Sequence, residues 1–444
     1  MEKAADDRER RIDGQVASCG REQKRLKPAC LFWQQGSHDP RHDKKCGTTM
    51  SKPRNKYGLL MIIFGSSIAI VAVLQLFILP ATIVSTSRLA SNPMLSATTY
   101  EYKSTGSQPQ RTIQEAQNPV ESCAICFFGL PRSFKLLVLP SVVKNVLISN
   151  RQNQCDFFLH YYQVEQEKGG RSGHGGTIDP SQVWLLKRAV QEVYNHSATV
   201  IASITYDSEE SFWEKRGSLL QKYRTAKGTD GNYLYFPWKA KSFTYPTSID
   251  NIVKQWHSID AVWSDMIRAE TRLNRKYTRV AMLRNDVVYV TPFNIYEIAT
   301  STFDYENNYA IVPNWARFPI NDRMIYGPRN AVRIWATERF QRLDDHVQTY
   351  ERGYGMHSER FLNHSIFPAI REKGFKVIAN PDICFFRARA DGSAWISDCS
   401  TRDGAANGFR KMSDVEKGRL VESIVGLPCR LSKYSAAVSQ VHCG

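Results

Sequence analysis

The chain has 444 residues and a formal net charge of +16. Length sets a soft expectation of two or three domains. The basic excess fits attraction of anionic ligands, or simply a soluble basic surface. Nucleic acid, another common partner of a basic chain, is excluded by the topology that the N-terminal region implies.

Gly58 to Leu79 carries no charged residue over a length that suits a bilayer crossing. A cleaved signal peptide would start nearer the N-terminus with a shorter apolar core. The expectation is therefore a signal anchor over 57–82, with a polar tail over 1–56 before it. Lys52, Arg54 and Lys56 precede the span, and the first basic residue after it is Arg88. The positive-inside rule then puts the tail in the cytosol and the rest in a lumen. The implied localisation is a single-pass type II protein of the Golgi or ER membrane. Residues 83–118, rich in Ser, Thr, Gln and Asn, read as a stem, and 119–444 as the lumenal domain.

Seven cysteines follow the span: Cys123, Cys126, Cys155, Cys384, Cys399, Cys429 and Cys443. Disulfides persist in a lumen, and an odd number leaves at least one thiol free or paired between chains. Cys123-x-x-Cys126 lacks a second ligand pair at zinc spacing and reads as structural. Asn195 and Asn363 open two glycosylation sequons.

From Cys123 the chain opens β-loop-α-β. Residues 124–128 read as a strand, 134–147 as an amphipathic helix interrupted by Pro140, and 156–162 as a buried strand. The Gly-rich stretch 165–180 lacks a phosphate-loop spacing and reads as a mobile loop. A helix over 183–194 and a strand over 199–206 follow. Residues 207–247 are rich in aromatics and bases without period, which suits stacking on sugar rings or a lid. Ser248 to Asn274 is the best helix, with Ser248 its expected N-cap.

That helix leads into Val280-Ala-Met-Leu283, a buried strand, then Arg284-Asn-Asp286, then Val287-Val-Tyr-Val290. A carboxylate at a strand's C-terminal end in an open α/β sheet lies where ligands bind; the plainer reading is a tight hairpin turn. Later come a strand over 309–313, helices over 331–343 and from 354, strands over 375–379 and 383–386, and a helix over 413–425.

Four charged clusters fall at strand ends or helix starts: Arg284/Asp286, Asn321/Asp322/Arg323, His357/Glu359 and Arg387/Arg389. Each alone reads as a surface salt bridge. Together they suit a nucleotide-sugar transferase. One carboxylate, Asp286, would hold Mn²⁺ or Mg²⁺ against a leaving diphosphate. Arginines would share that charge, and a second carboxylate would act as general base on an acceptor hydroxyl.

Residues 120–400 resemble an uncharacterised glycosyltransferase-like family of membrane-anchored eukaryotic proteins, related in layout to the GT-A transferases. The resemblance lies in Phe128-Gly-Leu-Pro-Arg-Ser-Phe134, Leu283-Arg-Asn-Asp-Val287, Ile320-Asn-Asp-Arg-Met-Ile-Tyr-Gly327, His357-Ser-Glu-Arg-Phe361 and Phe386-Arg-Ala-Arg-Ala-Asp-Gly392. It implies a GT-A-like, Rossmann-type fold: a mostly parallel sheet flanked by helices, here preceded by one transmembrane helix. It also implies a nucleotide-sugar donor and a glycan or glycoprotein acceptor. It places Arg132 near the donor nucleotide or diphosphate, and Asp286 where GT-A enzymes carry a metal-binding DxD. Arg284 stands at the first Asp position of that motif. Arg284, Asn321, Arg323, Arg387 and Arg389 are the other donor-binding candidates, with Asp322 and Glu359 the candidates for catalytic roles. Two further readings compete: a lumenal sulfotransferase, and a non-catalytic carbohydrate-binding protein.

Overall fold

The computed structural model describes residues 122–444 except 171–172, 196, 198–199, 240, 298–307, 351–352 and 402–403. All of these lie in the second of the two units into which the chain divides, Gln108–Gly444. The expected tail (1–56), anchor (57–82) and stem (83–118) lie outside the described residues.

In chain order, β1 (Cys123–Gly129) leads to a helical stretch α1 (residues 134–153), then β2 (Asp156–Tyr162). A small hairpin, β3 (Gln166–Glu167) and β4 (Gly176–Thr177), precedes α2 (Leu185–Val193), β5 (Ala202–Asp207) and α3 (Glu209–Thr225). The long helix α4 (Thr247–Leu273) delivers the chain to β6 (Arg279–Arg284) and β7 (Val287–Tyr289). Then come β8 (Tyr309–Pro313), β9 (Ile325–Pro328), α5 (Arg329–Thr337), α6 (Arg339–Thr349) and the helical stretch α7 (residues 358–372). The chain closes with β10 (Lys376–Asn380), β11 (Phe385–Ala388), β12 (Ser393–Trp395), the short pair β13 (Ser400–Thr401) and β14 (Gly404–Ala405), α8 (Asp414–Val425), β15 (Cys429–Ser435) and β16 (Val438–Cys443).

The main sheet has seven strands in the order β10-β8-β9-β6-β1-β2-β5. Strands β6, β1, β2 and β5 run parallel, as do β8 and β10, but β9 is antiparallel to both of its neighbours. A second, antiparallel sheet orders β15-β16-β12-β11-β7. The main sheet is therefore mostly parallel, with β9 alone reversed; the separate antiparallel sheet corrects the expectation of a single one, and the fold is mixed α/β.

The anchor and the localisation built on it are corrected too. Among the described residues no helix is long and apolar enough to cross a membrane. The longest, α4, has 27 residues, but Asp250, Lys254, Asp260, Asp265, Arg268 and Glu270 ride on it. Its apolar residues form one face, Trp256, Ile259, Val262, Trp263 and Met266, packed under the main sheet.

The central strands β1, β2 and β6 are buried on both faces, and their side chains alternate between two cores. Ile125, Phe127, Phe157 and Leu159 meet α1, α2 and the second sheet. Ala124, Cys126, Phe128 and Phe158 meet α4, α5 and α7. Pro140 does not end α1: it sits at the start of a four-residue α-helical turn between two π-helical turns. Wider turns relieve the clash and lost donor that a proline brings to a regular helix.

Three disulfides are present, Cys123–Cys155, Cys384–Cys399 and Cys429–Cys443. Cys126 is a free, buried thiol, and burial pushes it well above its ordinary range. Asn195 is exposed in a left-handed conformation after α2, whereas Asn363 is half-buried inside α7.

Candidate functional site

Arg284-Asn-Asp286 is not a hairpin turn. Strand β6 belongs to the main sheet and β7 to the second, so the chain changes sheet at Asn285–Asp286. Both residues are buried. The crossing is tied down on each side: Asn285 donates its backbone N–H to Phe128 O at 3.0 Å and its amide to Gly129 O at 3.1 Å. Asp286 O accepts from the Ala388 N–H at 2.8 Å. The junction therefore joins the C-terminal ends of β1 and β6 to β11, and the charged side chains of all three gather there.

Arg284 donates to Asp286 through Nε (to Oδ1) and Nη2 (to Oδ2), each at 2.7 Å. Arg132, in the loop after β1, donates to the same carboxylate at 2.5 Å and grips Glu167 with two further bonds at 2.7 and 2.5 Å. Burial alone would raise the Asp286 pKa. The Arg284 charge and hydrogen bond, followed by Arg132, overcome it and hold the carboxyl well below the usual range.

On β11, Arg387 forms a fork with Asp398 at 2.8 and 2.7 Å, and the Arg387 N–H donates to the same carboxylate at 3.1 Å. Arg389 follows, 3% exposed, with its guanidinium 3.7 Å from the Trp395 ring centroid. Its backbone is fixed by Ser133, whose Oγ donates to Arg389 O at 2.6 Å. Burial, then the charges of Arg387 and Arg132, push its pKa well down.

The loop before β9 brings in Asp322 and Arg323. Asn321 shapes that loop: its amide donates to Trp315 O at 2.7 Å and its Oδ1 accepts the Arg323 N–H at 2.9 Å. Arg323 lies over the Trp315 ring at 5.0 Å. Burial, then Arg387, lowers its pKa, while Asp398, Asp322 and Glu359 act the other way. Asp322 is half-buried and makes no hydrogen bond or ion pair among the described residues. Glu359, in the first turn of α7, lies 3.2 Å from the His357 ring.

Arg132, Arg284, Asp286, Asp322, Arg323, Glu359, Arg387 and Arg389 thus stand in one electrostatic neighbourhood. Two members were not legible in the sequence, Glu167 and Asp398. Glu167 arrives on the Gly-rich stretch, which folds as the β3–β4 hairpin. Gly176 lets that hairpin lie on the β11 side of the site: its φ is +153° and a Cβ there would stand 2.6 Å from Ala390 O. A cavity of about 340 Å³ lies between Thr291, Tyr326, Asn380 and Asp382 and is lined by none of the clustered residues.

Mn²⁺ or Mg²⁺ at Asp286 would need oxygen ligands with open lone pairs. Both Asp286 oxygens already accept from arginines, and the side chains around them are guanidiniums. This donor set does not fit a divalent cation.

One other group among the described residues could hold a metal ion: His160, Asp207 and His257, all buried, with ligand atoms within 4.8 Å of one another. They are knitted into hydrogen bonds. His257 Nε2 lies 2.6 Å and His160 Nε2 3.3 Å from Asp207 Oδ2, and Lys215 and Ser211 donate to the other oxygen. Arg216 donates to His257 Nδ1 at 3.0 Å, which leaves the His257 proton on Nε2, pointing at Asp207. A metal would have to displace that proton.

No family model matches the chain, and no curated protein matches it. Among solved structures it is similar to the apo-form glycosyltransferase GlyE of Streptococcus pneumoniae TIGR4, with a TM-score of 0.26 and 9% identity over 60% of this chain and 46% of that one. A second GlyE structure matches with a TM-score of 0.25 and 8% identity, over 59% and 46%. The chain spans less than half the length of these structures. The likeness is a distant one to glycosyltransferases in fold alone.

Proposed function

We propose that this protein transfers a sugar from a nucleotide-sugar donor to a hydroxyl of a glycan or glycoprotein. The observation that carries the reading is the gathering of five arginines around a strand-end junction, with one carboxylate, Asp322, left unengaged among the described residues. Sugar transfer to a hydroxyl releases a diphosphate and takes a proton from the acceptor. Preorganised guanidiniums stabilise the charge that develops on the leaving group. An unengaged carboxylate beside them takes the proton.

In this reading Arg132, Arg284, Arg323, Arg387 and Arg389 form the donor side. Asp322 is the general base, because Asp286, Asp398 and Glu167 are each held in ion pairs. Glu359, at the start of α7 and beside His357, orients the acceptor. The sequence motifs that resemble the glycosyltransferase-like family supply all five of these arginines and both carboxylates.

The test is hydrolysis and thermal stabilisation across a panel of nucleotide sugars, with adenosine phosphosulfate as the competing donor. Stabilisation and slow hydrolysis with one or more nucleotide sugars supports the reading. Stabilisation by adenosine phosphosulfate alone would replace it with sulfuryl transfer.

A further inference from the structure

The ion pairs at the site cancel in an uneven way. Arg132 and Arg284 are matched by Glu167 and Asp286, and Arg387 is matched by Asp398. Arg323 and Arg389 are left over. Among the described residues neither side chain makes a hydrogen bond or an ion pair. Arg389 Nε and Arg323 Nη1 are buried without a partner. A guanidinium held in this state is costly, because it has given up water without gaining an acceptor. Each is nonetheless held in place: Arg389 on Trp395, and Arg323 on Trp315 and by the Asn321 bond to its backbone. Both are tied to the same strand: Arg389 shares the Trp395 ring with Arg387 of β11, and Trp315, under Arg323, packs against Phe385 of β11 with ring centroids 4.9 Å apart.

We propose that Arg323 and Arg389 form a receptor for a doubly charged phosphate group, so that the donor's diphosphate is held by guanidiniums and no divalent metal takes part. The proposal deepens the functional reading above and rests on it for the identity of the donor. A diphosphate supplies the two negative charges and the acceptor oxygens that these forks lack. A divalent cation would add positive charge beside two guanidiniums that no carboxylate pairs, and both Asp286 oxygens already accept from arginines. The arginine at 284, in the place of a first aspartate, belongs to the same arrangement: it sets a positive charge and an N–H on each Asp286 oxygen where a metal would bind.

The experiment is a titration of the full chain with inorganic pyrophosphate in excess EDTA, read by tryptophan fluorescence, since Trp315 and Trp395 lie against the two guanidiniums. Saturable binding without metal is expected. Arg323→Ala and Arg389→Ala should each weaken it by about tenfold or more, while Arg430→Ala, on the exposed face of β15, should leave it unchanged. Arg389→Lys keeps the charge but loses the fork, and should recover only part of the affinity. This variant serves if the alanine substitution unfolds the chain. Pyrophosphate binding that appears only with Mn²⁺ or Mg²⁺ overturns the proposal, as does binding indifferent to both arginines. Binding of pyrophosphate in EDTA with no response to any nucleotide sugar would leave this proposal standing and sink the sugar-transfer reading instead.

Discussion

Arg284 holds both oxygens of Asp286, two residues along the same chain, at the point where the backbone leaves one sheet for the other. The pair sets the chemistry of the junction. It keeps the carboxylate ionised inside the protein, and it places a guanidinium N–H on each of the two oxygens that a metal would need.

The first expectation concerns stability. Asp286→Ala strands Arg284 without a counter-ion and leaves Arg132 only Glu167. Breaking a buried ion pair from one side costs about 3–5 kcal/mol. Urea denaturation followed by tryptophan fluorescence should show a loss of that size. A loss under about 1 kcal/mol would mean that the junction behaves as a solvated surface pair.

The second is the pH dependence of that stability. Asp286 and Asp398 both have folded-state pKa values lowered by arginines against the opposing effect of burial. A lowered carboxylate contributes stability that is fully present above its unfolded pKa, about 3.9, and lost as pH falls toward the folded value. Melting temperature should therefore hold steady from neutral pH down to about 4 and fall steeply below. In Asp286→Asn the acid limb should be shallower. An equal slope in the two proteins would remove Asp286 from the linkage.

Glu167 gives a third. It occupies the Arg132 fork through a hairpin that covers the site, so a diphosphate reaching Arg132 competes with it. Glu167→Gln should raise affinity for nucleoside diphosphates several-fold, measured by calorimetry in EDTA. An unchanged or weaker affinity would mean that Arg132 stays on Glu167 when ligand binds.

A fourth separates the two carboxylates near the acceptor. Asp322→Asn should lower kcat about 10²–10⁴-fold with donor affinity kept. Glu359→Gln should act mainly on KM for the acceptor. If Asp322→Asn left kcat intact, the base would lie elsewhere.

Much of the site was legible because its residues sit at the ends of strongly patterned strands. The apolar run 280–283 and the charged triplet after it locate the junction correctly. The local pattern could not say that the two apolar runs belong to different sheets, because a sheet change and a hairpin turn share the same polar interruption. The partners Glu167 and Asp398 come from irregular stretches that only the tertiary fold places. Helix α3 was missed since its aromatics, Phe212 and Tyr223, fall on a weakly amphipathic segment. The signal was there in Ser208 followed by Glu209 and Glu210, a cap with acids in the first turn. Helix α4 was found nearly to the residue, but its cap was not. Pro246 stands at that position, and Ser248 Oγ instead accepts from the Thr244 N–H.

The central claim is that this junction binds a nucleotide-sugar donor. Its most direct test is calorimetric titration of the full chain with a set of nucleotide sugars, alongside the double variant Arg323→Ala/Arg389→Ala. Saturable binding of at least one nucleotide sugar by the natural protein, lost in the double variant, is the result expected. Binding of none, or binding that the double variant keeps, would contradict it.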